Sequence, residues 1–250
     1  MLTGPITKRF QVESVVFDLF HTLVDPDVYR PEGFTRAYKI AAALGLAEAD
    51  EFARYWDEVE AKRHVDGSKK VAQYADDYLL EHKGRRCTQE ELDQVNLLWG
   101  RMHDLALLKP RDEVVSALRH LRTRGLKLGL LSNIDEREAV NWANSPLSPL
   151  FDVACLSFEI GHSKPSKEAY SLVLSRLGAD ASSSIYVGDG SHDELAGAKR
   201  AGFGLVVFMK GFISGNGKRS DEVLKKRQDV ADATTMGIGE LGALIDQLQA

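Results

Sequence analysis

The chain has 250 residues, of which 44% are hydrophobic and 28% are charged, and its formal net charge is −5. This composition excludes a disordered chain, and the negative charge argues against a nucleic acid or an anionic membrane held by a basic surface. No apolar run approaches the ~20 residues of a membrane span and the first ten residues lack the pattern of a secretory signal, so we expect a cytoplasmic protein without nucleic-acid or membrane partners.

The first predicted element is a buried strand that ends in acidic and hydroxyl side chains. Residues 15–17, Val-Val-Phe, are β-branched and aromatic, as is typical of a strand covered on both faces. Asp18 and Thr22 follow at once. Ligands of parallel α/β sheets bind beyond the carboxyl ends of the strands, so this position predicts that Asp18 points into a binding crevice. The alternative is an aspartate that only caps the strand or forms a turn.

A block without strands follows. Pro26 and Pro31 disfavour helix and mark a linker. Beyond them the apolar residues recur at helical spacing, which predicts helices over residues 34–41, 52–59, 71–81 and 90–105. Thr88 and Glu91 form the pattern of a capping box at the start of the last of these helices. We therefore predict a separate all-helical domain over residues 27–107.

From residue 109 onward, helices and strands alternate. The predicted helices cover residues 113–124, 136–143, 166–177, 194–201 and 239–248, and the predicted strands cover residues 126–131, 153–156, 184–187 and 204–208. This alternation predicts right-handed βαβ crossovers and a parallel sheet that includes the first strand. The predicted fold class is therefore α/β, and we assign residues 1–26 and 108–250 to its core.

Polar side chains follow the predicted strands. Ser132 and Asn133 come after the second strand, Lys164 lies just beyond the third, and an acidic, glycine-rich turn over residues 188–194 follows the fourth. Because the carboxyl ends of parallel strands meet at one edge of the sheet, we expect these groups to converge on Asp18. Capping alone does not explain so many coincidences.

These residue types suit the transfer of a phosphoryl group. Asp18 can attack phosphorus and form an aspartyl-phosphate, a covalent intermediate that divides one difficult displacement into two easier ones. Thr22 and Ser132 can donate hydrogen bonds, and Lys164 can supply a positive charge, to the phosphoryl oxygens.

The turn after the fourth strand carries hard oxygen ligands. Asp189, together with either Asp193 or Glu194, can bind Mg²⁺ beside the nucleophile. The spacing leaves the choice between Asp193 and Glu194 open. The pattern predicts a Mg²⁺-dependent enzyme with a small phosphorylated substrate.

The motifs resemble those of the haloacid dehalogenase-like hydrolase superfamily. The four matching stretches are Asp18-x-Phe20-x-Thr22-Leu23, Ser132-Asn133, Lys164-Pro165 and Gly188-Asp189-x-x-x-Asp193. The resemblance implies a Rossmann-like, three-layer core with a helical cap inserted between the first and second motifs as a mobile lid. It also implies Mg²⁺ as the cofactor of the phosphatase branch, with the backbone carbonyl of Phe20 among its ligands.

Phe20 departs from the phosphatase pattern. The phosphatases of this superfamily carry a second aspartate at this position, which acts as an acid for the leaving alkoxide and then as a base for water. Its absence predicts slow turnover of poor leaving groups, since general acid–base catalysis contributes ~10²–10⁴-fold. The neighbouring His21 can replace it because imidazole titrates near neutrality. Alternatively, His21 only fills the usual glycine position.

Three alternatives to a phosphatase stay open. Haloacid dehalogenases of the superfamily carry an aromatic residue at the position of Phe20 and use no metal, but they resemble Ser-Ser-Asn where Asp189 stands here. Phosphonate hydrolases form a Schiff base on a cap lysine, for which Lys62, Lys69 and Lys70 are candidates. A degenerate member would bind a phosphorylated ligand or a protein without turnover. We expect a monomer or a homodimer.

Overall fold

The centre of the fold is a six-stranded parallel sheet. The computed structural model describes residues 9–214 and 219–249. The strands are β1 (Ser14–Phe17), β2 (Lys127–Ser132), β3 (Val153–Leu156), β4 (Ser184–Gly188), β5 (Leu205–Met209) and β6 (Ala233–Thr235). They lie in the order β3-β2-β1-β4-β5-β6, and each pairs in parallel with its neighbours. Strands β2 and β3 lie on one side of β1, and β4 lies on the other side. The strand order therefore reverses between β1 and β4, and the carboxyl ends of these two strands flank the crevice in which such sheets bind ligands.

The helices follow the strands along the chain, with one long helical insertion between β1 and β2 and no α-helix between β2 and β3. They are α1 (Arg36–Ala43), α2 (Ala49–Glu58), α3 (Glu60–Arg63), α4 (Val71–Lys83), α5 (Gln89–Leu108), α6 (Asp112–Thr123), α7 (Ser157–Ile160), α8 (Lys167–Leu177), α9 (Glu194–Arg200), α10 (Asp221–Val230) and α11 (Leu241–Gln249). Within residues 9–214 and 219–249, no helix combines the length and the apolarity that crossing a membrane requires.

The side chains of β1 show how the core is layered. Val15 and Phe17 belong to one hydrophobic cluster, to which α6 and α11 contribute. Val16 belongs to the cluster on the opposite face, to which α8 and α9 contribute. All three side chains are fully buried. Successive residues of a strand point to opposite faces, so helices on both sides of the sheet give the three-layer α/β fold that the sequence predicted.

The helices between β1 and β2 pack around a hydrophobic cluster of their own. Helices α1, α2, α4 and α5 supply its buried side chains, and the rings of Trp56 and Trp99 meet edge to face at its centre. The capping box predicted at the start of α5 is confirmed, since Thr88 Oγ1 accepts from the backbone of Glu91 and Glu91 Oε2 accepts from the backbone of Thr88. This separate cluster supports our proposal that residues 27–107 form a cap domain.

One predicted helix is wrong and several short elements were missed. Residues 136–143 form consecutive turns instead of a helix. Asp135 explains the difference, because its Oδ1 accepts hydrogen bonds from the backbone of Arg137 and Glu138 and closes a turn. Strand β6 and helices α3 and α7 have three or four residues each, too few to show a periodic pattern. The predicted linker contains a 3₁₀ helix over Pro26–Tyr29.

Candidate active site

Asp18 lies directly beyond the end of β1. Its backbone N–H donates to the carbonyl of Val187 in β4 at 2.9 Å, so the strand pairing continues through the site residue. Thr22 Oγ1 donates to Asp18 Oδ2 at 2.8 Å, and Lys164 Nζ donates to Asp18 Oδ1 at 2.5 Å. The side chain is buried. Both oxygens of the predicted nucleophile are therefore held in a fixed orientation.

A tight turn after β1 returns Thr22 to Asp18. The backbone N–H groups of Leu23 and Val24 both donate to the carbonyl of Leu19. His21, inside this turn, has a φ of 61°, a left-handed conformation that residues with a Cβ adopt uncommonly. The turn therefore brings the hydroxyl of Thr22 onto the carboxylate within four residues of chain.

Three carboxylates converge at the end of β1 and β4. Oxygens of Asp18, Asp189 and Glu194 all lie within 4.8 Å of one another, and all three residues are buried. Glu194 also accepts from Tyr186 at 2.7 Å and from the backbone of Gly190 at 2.8 Å. A Cβ on Gly188 would lie 2.2 Å from Glu194 Oε1, so a larger residue before Asp189 would displace the Glu194 carboxylate.

Lys164 is the cation that faces this acidic cluster. Its Nζ lies 2.5 Å from Asp18 and 2.7 Å from Glu194. Although burial opposes it, the charges of Asp18 and Glu194 raise the pKa of Lys164. Burial, with the charges of Asp18 and Asp189, raises the pKa of Glu194 to about 8. The cluster thus holds more carboxylates than the lysine can balance, and its oxygen donors are the type that binds Mg²⁺.

The structure separates the two acidic residues that the sequence left as alternatives. Glu194 lies in the cluster with Asp18. Asp193 is exposed, and it lines a cavity of about 300 Å³ against α10. Both His192 and Asp193 have a left-handed φ of 53°, and α9 starts only at the next residue. Glu194, and not Asp193, thus lies in the acidic cluster that contains Asp18.

Arg227 reaches the same site from α10, and the sequence analysis missed it. Its Nη1 donates to the carbonyl of Asp189 at 2.8 Å and to Asp189 Oδ2 at 3.1 Å. Ser191 donates to the same carboxylate through its backbone and its hydroxyl, each at 2.9 Å. Arg227 belongs to a run of basic residues that looks like an ordinary solvated helix face, so its long-range partner leaves no signal in the sequence.

Asn133 positions Lys164. The Nδ2 of Asn133 donates to the backbone carbonyl of Lys164 at 2.8 Å, and its Oδ1 accepts from the backbone N–H of Lys164 at 2.7 Å. Ser132 is buried at the carboxyl end of β2. The structure therefore brings the predicted residues of the second and third motifs together at the edge of the sheet that carries Asp18.

Phe20 and His21 have neighbours other than the acidic cluster. The Phe20 ring meets the ring of His103 in the cap edge to face, with 4.6 Å between centroids. His21 Nδ1 lies 3.2 Å from Asp25 Oδ1, and His21 Nε2 lies 3.9 Å from Asp27 Oδ2. His103 is buried, and this burial lowers its pKa to about 4. A neutral cap histidine thus packs against the position where phosphatases carry a second aspartate.

The segment over residues 135–138, which the sequence analysis also missed as a functional feature, ties this edge of the sheet to the cap. Each of its side chains makes a polar contact there. The pairs are Trp99 Nε1 to Asp135 Oδ2 (2.7 Å), Val71 N to Glu136 Oε1 (2.8 Å), Arg137 Nη2 to Asp104 Oδ2 (2.7 Å) and Arg36 Nη1 to Glu138 Oε1 (2.9 Å). The available signal was four consecutive charged residues that begin two residues after the second motif.

Comparison with protein families gives one match over most of the chain. A family model described as haloacid dehalogenase-like hydrolase matches residues 12–202. The pyrophosphatase PpaX of Bacillus pumilus is 34% identical over 133 residues, which are 51% of this chain and 60% of that protein. The ribulose-1,5-bisphosphate 5-phosphatase of Halopiger xanaduensis is 26% identical over 93% of this chain and 98% of its own length. The chain thus spans less than two thirds of the first of these relatives.

Solved structures share the fold. The chain is similar to a phosphatase of this family from Thermococcus onnurineus, with a TM-score of 0.60, 20% identity and coverage of 96% of this chain and 100% of the other. It is also similar to the L-2-haloacid dehalogenase from Xanthobacter autotrophicus, with a TM-score of 0.57, 19% identity and coverage of 94% and 99%. At these identities the likeness concerns the fold alone.

Proposed function

The chain belongs to the haloacid dehalogenase-like hydrolase family, and from this we propose that it is a phosphatase that hydrolyses a small phosphorylated metabolite. The main evidence for this proposal is the set of side chains around Asp18. Thr22 and Lys164 orient its carboxylate, and the carboxylates of Asp189 and Glu194 stand beside it. The relative from Halopiger, whose name describes a phosphatase, supports the same activity.

In the proposed reaction, Asp18 is the nucleophile of the first displacement. One carboxylate oxygen attacks phosphorus, the ester P–O bond breaks, and the alcohol leaves an aspartyl-phosphate behind. Thr22, Ser132 and Lys164 donate to the phosphoryl oxygens as negative charge develops on them. In the second displacement, water attacks phosphorus, and orthophosphate and the Asp18 carboxylate are released. Asn133 contributes by fixing the backbone of Lys164.

Mg²⁺ is the proposed cofactor. Asp18, Asp189 and Glu194 would hold it, together with the backbone carbonyl of Phe20. The fit rests on three buried carboxylates that lie within 4.8 Å of one another, of which Asp18 and Glu194 contact Lys164 and Asp189 contacts Arg227. When bound, the cation neutralises the charge of the phosphoryl group.

The site lacks the carboxyl group that protonates the leaving group in phosphatases of this family. Phe20 offers no proton, and its ring packs against His103. We propose His21 as the substitute acid; its Nδ1 lies 3.2 Å from Asp25 Oδ1. Without a carboxyl two residues after the nucleophile, we expect turnover of alkyl phosphates to be slow.

A haloacid dehalogenase is the second candidate. Phe20 supports it, because a halide leaves without a proton and the dehalogenases of the family carry an aromatic residue at this position. The acidic cluster opposes it, because Asp189 and Glu194 would repel the carboxylate of a haloacid in the absence of a metal. A catalytically degenerate binding protein is the third candidate, with Phe20 as its support.

The experiment is an activity assay on the purified protein and its Asp18→Asn variant. Both are incubated with p-nitrophenyl phosphate and a panel of phosphorylated metabolites, in Mg²⁺ and in EDTA. We expect turnover that requires both Asp18 and Mg²⁺. Turnover of 2-chloropropionate in EDTA, with no phosphate ester hydrolysed, would establish the dehalogenase instead. No turnover of either substrate class would favour a binding protein without catalytic activity.

A further inference from the structure

Protein donors occupy most of the hydrogen-bonding capacity of the Glu194 carboxylate. Its Oε2 accepts from Lys164 Nζ and from the hydroxyl of Tyr186, each at 2.7 Å, and its Oε1 accepts from the backbone N–H of Gly190 at 2.8 Å. The ionised carboxylate, the form that binds a cation, has about four lone-pair sites, two on each oxygen. Three of these sites are occupied, so the site that remains belongs to Oε1.

Tyr186 reaches this carboxylate from the hydrophobic core. It lies in the middle of β4, and its side chain is fully buried. Its ring meets the rings of Tyr170 and Phe203 edge to face, with 5.6 Å between centroids in both pairs. A phenyl ring is sufficient for such packing, as Phe203 shows. The hydroxyl of Tyr186 therefore serves its contact with Glu194 and not the packing of the core.

A second buried tyrosine holds the backbone of the same residue. The hydroxyl of Tyr170, in α8, donates to the backbone carbonyl of Glu194 at 2.7 Å. This close approach depends on Gly197 in α9, because a Cβ there would lie 2.6 Å from the hydroxyl oxygen of Tyr170. Glu194 is the first residue of α9. Two core tyrosines thus hold it, one by its backbone and the other by its carboxylate.

The hydroxyl of Tyr186 is an uncharged donor among cations. Lys164 lies 2.7 Å from Glu194, and Arg227 lies 3.1 Å from Asp189. A cationic donor orients a carboxylate, but it also repels a divalent cation that binds beside it. A tyrosine hydroxyl, which titrates only at about pH 10, orients the carboxylate without this repulsion. Its loss should therefore weaken the binding of a cation and not strengthen it.

We infer that Tyr186 is a positioning residue of the metal site, whose hydroxyl holds Glu194 Oε2 beside Lys164 and leaves Oε1 to the cation. The inference rests on the proposed function, in which Mg²⁺ binds among Asp18, Asp189 and Glu194. Carboxylates that bind a metal are oriented by hydrogen-bond partners outside the set of ligands, and removal of such a partner lowers metal affinity by ~10–100-fold. Tyr186 lies outside the four sequence motifs, so the motifs do not identify it.

The test is the affinity of the purified protein for Mg²⁺ without substrate, measured by isothermal titration calorimetry. Tyr186→Phe removes the hydroxyl and keeps the ring. We expect it to weaken the binding of Mg²⁺ by about tenfold, at the low end of the range because Lys164 and Gly190 still hold the carboxylate. The titration is done at about pH 9, above the pKa of about 8 of Glu194, so that protonation of this group contributes little.

Tyr55→Phe is the matched control. Tyr55 lies in the cap and packs against a different hydrophobic cluster, and its hydroxyl donates to the backbone carbonyl of Tyr74 at 2.9 Å. This variant also loses a tyrosine hydroxyl and its hydrogen bond. We expect both substitutions to lower the melting temperature, and only Tyr186→Phe to lower the affinity for Mg²⁺.

A kinetic measurement separates a role in metal binding from a role in folding. With p-nitrophenyl phosphate as substrate, the Mg²⁺ concentration that gives half of the maximal rate should rise by about tenfold in Tyr186→Phe. The rate at saturating Mg²⁺ should stay within about threefold of the wild type, because excess cation compensates for the lower affinity. A merely structural loss would lower the maximal rate and leave the half-saturating concentration unchanged.

The outcomes separate the inference from the proposed function. Weaker binding of Mg²⁺ by Tyr186→Phe, with Tyr55→Phe equal to the wild type, supports the inference. If the wild type binds Mg²⁺ and Tyr186→Phe binds it equally well, or if Tyr55→Phe weakens the binding as much, the inference is overturned and the proposed cofactor stands. If the wild type binds no Mg²⁺, the proposed cofactor fails and the inference fails with it.

Discussion

Replacing Phe20 with aspartate should accelerate the hydrolysis of alkyl phosphates, because it places a carboxyl two residues after the nucleophile Asp18. General acid–base catalysis contributes ~10²–10⁴-fold, and we expect a gain of about 10²-fold in kcat for glycerol 3-phosphate. The gain should lie at the low end of the range, because the neighbouring residues, such as His103 at 4.6 Å between ring centroids, are arranged around a phenyl ring.

The same substitution should reduce stability by a predictable amount. Phe20 loses an edge-to-face contact worth ~0.5–1.5 kcal/mol, and its half-buried ring contributes about 1 kcal/mol more through burial. A total of about 2 kcal/mol lowers Tm by roughly 4–8 °C in a chain of this size. Phe20→Leu is the matched control, since it loses the ring contact without gaining a carboxyl.

The assay for Phe20→Asp is steady-state and rapid-quench kinetics with Mg²⁺. With p-nitrophenyl phosphate, whose leaving group needs no proton, we expect the first turnover to change little, while the slower hydrolysis of the aspartyl-phosphate is accelerated. If Phe20→Asp is no faster than Phe20→Leu on glycerol 3-phosphate, the missing carboxyl does not limit this enzyme, and the reasoning about Phe20 is refuted.

Two further predictions concern the contact between the cap and the core. Gly100→Ala should destabilise the protein by about 1–2 kcal/mol in chemical denaturation, because its Cβ would lie 2.0 Å from the guanidinium carbon of Arg137. This loss exceeds the gain of ~1 kcal/mol in helix propensity. Gly242→Ala is the control: its nearest neighbours lie at 3.8 Å, so it should be neutral or stabilising. The pKa of His103 is lowered to about 4, below its usual value near 6.5, so the unfolded chain binds the extra proton between these values. The contribution of His103 to the free energy of unfolding should therefore fall by up to about 3 kcal/mol as the pH drops from 6.5 to 4. The difference in this free energy between wild type and His103→Gln should change by the same amount, and a difference that is independent of pH would exclude His103 as a source of the dependence.

The sheet and much of the candidate site follow from local sequence patterns. Buried β-branched runs identify the central strands, and parallel strands place the residues after them along one edge. This reasoning is sufficient to predict that Asp18, Lys164 and Asp189 lie together, with either Asp193 or Glu194 beside them. It works because the catalytic side chains lie next to the strands that position them, so a short-range pattern encodes a long-range arrangement.

The choice between Asp193 and Glu194 required the structure, because it depends on backbone conformation and not on spacing. Two successive residues, His192 and Asp193, have a left-handed φ, and α9 starts only after them. The side chain of Asp193 is exposed, whereas that of Glu194 is buried. The contact of Arg227 with Asp189 has the same character, since it joins residues 38 positions apart. Neither effect leaves a periodic trace in the sequence.

The wrong helix over residues 136–143 has a physical cause that also bears on function. Each side chain of residues 135–138 is engaged by the cap, and these partners hold the segment in turns that helix propensity alone would not favour. The same stretch begins two residues after Asn133, whose side chain forms two hydrogen bonds with the backbone of Lys164. Any displacement of the cap must therefore either break these contacts or pull on the segment that positions the lysine of the active site.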